Sequence, residues 1–320
     1  MGRRRGKAGI QMGNMNNALT QAAVYLALLA AGYGCKRAGL FRVEDSDFIR
    51  SAILYITMPA VAVNGLAELT LQPSFLWCFL AGLAACAVLI AIGLLSSRRA
   101  PLGDRLAYLF SMSNFNIGNF AIPFLTGLVS DDGFVALCLF DIAVAISLYG
   151  VCCSLAEGLR GRKGGFSLKL LAAKLFTSPV TDAYLVMLAL AALGLRLPGP
   201  VLRLAQVAAN ANAFLAMISI GILFEFRFRR EDLGAFVRFF LLRYGTAVAL
   251  AAAVILFLPL PADIRQAVCV LLMAPVGSVG PLLTRNTGGN TTLAAQLNSI
   301  SIPIGIVMMV LMYAVTGAMA

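Results

Sequence analysis

The 320 residues are 60% hydrophobic and only 12% charged, with 25 Lys and Arg against 14 Asp and Glu for a formal charge of +11. Too few polar side chains are present to cover a soluble domain of this size, and the apolar residues come in blocks of about 18 or more, not as the stripe of an amphipathic helix. Histidine is absent, which excludes Ser-His and Cys-His nucleophiles, His-ligated zinc and His proton relays together.

In chain order, the basic tail with Arg3, Arg4, Arg5 and Lys7 leads to a first apolar block at 17–35. Asn14-Met15-Asn16-Asn17 intervenes, and the block ends at Gly34-Cys35-Lys36-Arg37 without a small-x-small site. The segment therefore reads as a first membrane helix and not as a cleaved signal. Further blocks follow at 48–68, 73–96, 104–128, 133–156, 179–197, 200–224, 236–259, 264–284 and 291–316. The reading is an all-α membrane protein of about ten transmembrane helices. Cys35, Cys78, Cys86, Cys138, Cys152, Cys153 and Cys269 fall mostly inside the blocks, where cysteine behaves as a small hydrophobe, so neither disulfides nor a metal site is expected.

The basic residues lie between blocks and near their ends, the pattern that sets membrane topology and not one that binds nucleic acid. Linkers after the odd-numbered blocks collect 18 Lys and Arg, from Lys36 to Arg285 and including Arg238 and Arg243. The other side holds 7, four of them in the N-terminal tail. This predicts cytoplasmic odd linkers and both termini outside, in a multi-pass protein of the cell (plasma or inner) membrane. A basic, Gly-rich linker at 158–170 separates residues 1–157 from 171–320. Five helices on either side of a cytoplasmic linker enter the membrane from opposite faces, the arithmetic of two inverted five-helix repeats.

The fourth block carries Ser113-Asn114-Phe115-Asn116-Ile117-Gly118-Asn119-Phe120-Ala121-Ile122-Pro123, and the ninth carries Pro275-Val276-Gly277-Ser278-Val279-Gly280-Pro281. Gly costs about 1 kcal/mol and Pro about 3 kcal/mol in a helix interior, and hydrocarbon offers no partner to freed backbone groups. Both helices should therefore be broken and turned inward, with half-helix ends able to hold a solute. Matching interruptions in the two halves are the sequence pointer to a transporter site. Either one alone could be a kink.

Asp141, about nine residues into the fifth block, should lie at mid-depth, where a charged carboxylate must be paired, protonated or beside water. No Lys or Arg is predicted at its depth, so protonation is the natural escape, and Asp141 is the proton-coupling candidate. A neutral acid bonded to unwound backbone is the plainer alternative. Asn64, Asn210, Asn212, Asn298, Ser299 and Ser301 could line a cavity or hold helices together. Asn298 and Ser299 matter most, because the tenth helix should pack near the broken ninth. Pro59 and Pro303 read as kinks.

Leu54-Tyr55-Ile56-Thr57-Met58-Pro59-Ala60, Asn114 through Pro123, Ala216-Met217-Ile218-Ser219-Ile220-Gly221 and Met273 through Leu283 together resemble the auxin efflux carrier family, including its bacterial permeases for organic acids. The resemblance implies ten helices in two inverted repeats with the fourth and ninth broken and crossing at the site. It also implies a scaffold of helices 1, 2, 6 and 7, often dimeric, and a moving bundle of helices 3–5 and 8–10. By that likeness Asn114, Asn116, Gly118, Asn119 and Pro123 match one crossing segment, and Pro275, Gly277, Ser278, Gly280 and Pro281 the other. The long cytoplasmic loop of the plant members is missing, which argues for a permease-like chain.

The function expected is secondary transport of a small organic anion by alternating access, with no cofactor and with H+ or Na+ as coupling ion, since no ATP-binding motif appears. The rivals are a sodium-coupled symporter of the bile-acid type and a membrane sensor that binds without transporting.

Overall fold

The computed structural model describes residues 2–161, 171–172, 176, 178–224 and 233–319, with side chains from Asn16 onward. Arg162, Lys163, Lys169, Lys174, Arg227, Arg229 and Arg230, all among the 18 basic residues of the odd linkers, lie outside that set.

Its helices are α1 (Gly2–Arg37), α2 (Asp45–Gly65), α3 (Ser74–Ser97) and α4 (Leu102–Met112). Next come α5, a π turn at Ile117–Ala121 that continues as Ile122–Leu125, and α6 (Asp131–Leu159). The second half contributes α7 (Pro179–Ala192), α8 (Gly199–Leu223), α9 (Leu233–Phe257), α10 (Ala262–Leu272), α11 (Val279–Asn286) and α12 (Thr291–Met319). Seven of them, α1, α2, α3, α6, α8, α9 and α12, are long and apolar enough to cross a membrane. The chain is an all-helical, multi-pass membrane protein.

The remaining apolar blocks are the short or interrupted ones. Residues 104–128 form α4 and α5 with a break at 113–116, residues 264–284 form α10 and α11 with a break at 273–278, and α7 has 14 residues. The two helices that lead into the breaks are alike. Each has 11 residues, a Pro as N-cap (Pro101, Pro261) and an acid in its first turn (Asp104, Asp263) that suits the positive helix end. Each bound of α10 falls 160 residues after that of α4, 102 to 262 and 112 to 272.

Proline also explains two wide turns. Its ring clashes with the carbonyl four residues back, and a π turn relieves the clash. The turns Ile53–Thr57 and Ile117–Ala121 each end two residues before a proline, Pro59 and Pro123.

Packing falls into two groups. α1 runs along α8, and α2 packs against α7 and α8. At Gly32 a Cβ would lie 2.5 Å from the Ile218 carbonyl oxygen, so only glycine lets α1 and α8 approach this closely. The Thr57 hydroxyl donates to Asn212 Oδ1 at 2.7 Å and holds α2 to α8. In the other group α3 packs on α4 and α6, while α10 packs on α6, α9 and α12. Fully buried Phe110, Phe120, Phe124, Phe140 and Phe239 fill the interior. Large apolar residues such as Leu76, Leu95, Leu204, Val207, Leu241 and Phe257 face outward, as acyl chains require. All seven cysteines are free thiols: Cys78, Cys86, Cys138, Cys152 and Cys269 are buried, and Cys35 and Cys153 half-buried.

Candidate functional site

The two breaks meet. Phe115 and Val276 form an antiparallel bridge, the only contact of strand type among the described residues. The Asn116 N–H donates to the Pro275 carbonyl at 2.9 Å, and the Gly277 N–H to the Asn114 carbonyl at 3.1 Å. Two short strands back to back thus satisfy each other's freed amides, the problem that hydrocarbon would otherwise leave unsolved. The Asn114 side chain adds a bond from Nδ2 to the Gly277 carbonyl at 3.1 Å. A Cβ on Gly277 would collide with that same side chain, so glycine is what lets the strands touch.

Helix α12 locks the second break in place. Asn298 Nδ2 donates to the Val276 carbonyl at 2.6 Å, and the Val276 N–H donates to Ser301 Oγ at 2.8 Å. Behind the crossing lies Arg243 of α9, 1% exposed. Its guanidinium donates to the carbonyls of Ser111 at 3.1 Å, Asn114 at 3.1 Å and Ala274 at 3.2 Å, and also to that of Met112. It lies over the Phe115 ring, 4.8 Å from the centroid.

In front of the crossing is a cavity of about 160 Å³. Asn114, Asn116, Gly118 and Asn119 from the first break, and Gly277 and Ser278 from the second, form one wall. Asn119 Nδ2 donates to Ser278 Oγ at 3.3 Å across the gap. The facing walls are Leu54 and Met58 of α2, Ser178 and Thr181 at the start of α7, and Asp141 and Tyr149 of α6. The Tyr184 hydroxyl points at Asp141 Oδ2 from 3.4 Å. A wider vestibule of about 690 Å³ shares Leu54, Asn119, Ser278 and Val279 with the cavity and extends past Arg50 and Arg285. Farther along the first broken segment, the Tyr25 hydroxyl of α1 donates to the Pro123 carbonyl at 2.6 Å, its ring packs edge-on against Phe124, and Gln21 reaches the Phe124 carbonyl at 3.4 Å.

Interrupted helices that cross at a polar cavity inside a bundle of apolar helices are an arrangement used to pass solutes across membranes. The sequence profile of a family described as membrane transport protein matches residues 19–164. Over that segment the chain is similar to this family. The match contains Leu54–Ala60 and Asn114–Pro123, two of the segments behind the resemblance to auxin efflux carriers, and supports it. No curated protein matches the chain.

The fold gathers part of the residue set expected from the sequence. Asn114, Asn116, Gly118, Asn119, Gly277, Ser278 and Asp141 line the cavity, and Pro281 lines the vestibule. Pro275 and Asn298 act through the crossing backbone, and Gly280 lies against it, where a Cβ would come 2.9 Å from the Phe110 carbonyl. Pro123 is tied through its carbonyl to Tyr25 of α1, and Ser299 is buried on α12. Asn64 turns away, with Nδ2 bonded to the Ala60 carbonyl one turn back at 3.1 Å. Asn212 serves as a tie between helices, and Asn210 pairs on its own helix with Gln206 at 2.8 Å.

The expectation that no Lys or Arg shares the depth of Asp141 is corrected. Arg243 donates to the carbonyl of Asn114, which lines the same cavity as Asp141. Counting Arg243 among topology-setting charges is likewise corrected, because it never reaches an aqueous face; without it the count is 17 against 7. Its place eight residues into the eighth apolar block, 236–259, was the available signal. Tyr184, Thr181 and Tyr149 are not singled out by the sequence, since a hydroxyl in an apolar block resembles ordinary interhelical packing.

Proposed function

We propose that this protein is a secondary carrier of a small organic anion of the carboxylate class, working by alternating access and coupled to protons through Asp141. The observation that carries the reading is the Phe115–Val276 crossing with its wall of asparagine and serine on the cavity. A cavity of about 160 Å³ is small beside the roughly 300–1,000 Å³ of drug-sized sites and suits a compact solute. Asn114, Asn119 and Ser278 offer neutral donors, the N-terminus of α11 adds partial positive charge at Ser278 and Val279, and Arg243 adds a whole charge from behind.

In this reading α4 with α5 and α10 with α11 count as spans, making ten in two inverted repeats, and the 160-residue offset of α4 and α10 supports it. The group α1, α2, α7 and α8 is the scaffold, open to dimerisation, and the rest is the moving bundle. The cavity lies between them, with a vestibule on the side of Arg50 and Arg285, the cytoplasmic side by the charge count. The conformation is then inward-facing, its outer end shut by Tyr25 and Pro123.

The test is a screen of mono- and dicarboxylates in proteoliposomes, with imposed pH and sodium gradients. Saturable uptake and counterflow of a small carboxylate, faster with an inward proton gradient, is the expected result. Binding without counterflow makes the protein a sensor, and uptake that needs sodium makes it a symporter of the bile-acid type.

A further inference from the structure

We infer that Arg243 is a resident cation, built into the position where carriers with broken helices hold a coupling metal ion, and that it frees this carrier from sodium. The inference rests on the carrier reading above. Unwound carbonyls and the C-terminal ends of half-helices are the groups that coordinate Na+ in such proteins. Here four of them, on Ser111, Met112, Asn114 and Ala274, converge on one guanidinium. They come from both breaks. Ser111 and Met112 belong to the last turn of α4, and Ala274 lies two residues beyond α10.

The charge balance fits a permanent occupant. A buried cation needs compensation, normally from an acid. Among the described residues no carboxylate forms an ion pair with Arg243. The compensation comes instead from two helix C-termini, each worth roughly −0.5 of an elementary charge, so α4 and α10 together supply about −1 against +1. The face of Phe115 at 4.8 Å adds to this. A metal ion entering the same carbonyls would have to displace the guanidinium and would place a second positive charge against it in a dry interior. The planar fork of donors also reaches both breaks at once, which a single carbonyl-bound ion does only while bound. The crossing is thereby held in every step of the cycle.

The experiment uses the purified full chain in detergent and reads the unfolding midpoint in sodium, lithium, potassium or choline chloride at equal ionic strength. The native protein should show one midpoint in all four salts. Arg243→Ala should unfold several degrees lower in choline, and sodium, lithium or millimolar methylguanidinium should restore part of the loss saturably. Arg243→Met, which fills the space without charge, should stay low in every salt. A native midpoint that climbs saturably with sodium overturns the inference, even if the alanine variant never folds. So does an Arg243→Met protein as stable as the native one. None of these readings involves transport, so a failure to find uptake strikes the carrier reading alone. Sodium-driven uptake by the native protein would strike this inference and leave the carrier intact.

Discussion

Asn116 gives its backbone N–H to the carbonyl of Pro275 at 2.9 Å, and through this bond two helices broken 160 residues apart in sequence become one structural unit. Neither break is tolerable alone in hydrocarbon, since each leaves amides and carbonyls without partners. Together they satisfy each other on one face and leave side chains for a solute on the other.

Gly277→Ala should damage this unit more than its one added methyl suggests. The new Cβ falls on the Asn114 side chain, which is itself bonded to the Gly277 carbonyl. Overpacking of this kind costs about 1–3 kcal/mol, and a lowered unfolding midpoint with loss of uptake is expected. A variant of native stability and native uptake would show that the strands are not in contact.

The Asn119–Ser278 bond at 3.3 Å bridges bundle elements across the cavity wall without supporting the backbone. Asn119→Ala should therefore abolish uptake in a protein that still inserts and folds, and the double variant with Asn114→Ala, which also loses a bond to the Gly277 carbonyl, should be equally inactive and less stable. Ser278→Ala combined with Asn119→Ala should cost less than the sum of the single variants, because residues in contact share their interaction energy, about 0.5–3 kcal/mol. Native transport in the double asparagine variant would remove the site.

Asp141 reads as the coupling group because it borders the cavity and, among the described residues, its side chain has one bond, a long one of 3.4 Å from the Tyr184 hydroxyl. Asp141→Asn should keep solute exchange while losing acceleration by an inward proton gradient. Tyr184→Phe should shift the pH dependence of uptake and leave its gradient response in place. If the asparagine variant responds to the gradient as the native protein does, coupling lies elsewhere.

Tyr25→Phe removes the hydroxyl that reaches Pro123 at 2.6 Å at the closed end. A hydrogen bond of this kind contributes about 1 kcal/mol net, enough to change the balance of open and closed forms severalfold. With Ala145→Cys as reporter in the cavity wall, an impermeant thiol reagent added from that end should label the Tyr25→Phe protein faster. Unchanged labelling would mean that another contact holds the end shut.

The breaks were legible in the sequence because the signal was energetic and local: Pro123, Gly118, Pro275 and Gly277 are costly inside any continuous helix. That Asn298 would lie against the broken helix was legible from proximity in the chain order. What each residue does there was not. Ser301, not Ser299, takes the Val276 amide, a choice set by which side of α12 faces the crossing. Asn64 and Asn119 are the same residue type in similar surroundings, yet one bonds its own helix and the other spans the cavity wall. Arg243 was hidden for a different reason. A positive charge in an apolar chain is read as a marker of the membrane surface, and its partners here are carbonyls, which every residue carries and no sequence pattern reveals.

The burial of five of the seven thiols has a practical outcome. A reagent confined to water meets at most Cys35 and Cys153 among the native sulfurs, so replacing those two gives a background silent to alkylation with Cys78, Cys86, Cys138, Cys152 and Cys269 left in place. Spin labels or fluorophores can then be attached at chosen points on α2 and α11, and the distance between them followed as solute is added, without rebuilding the interior that keeps the protein folded.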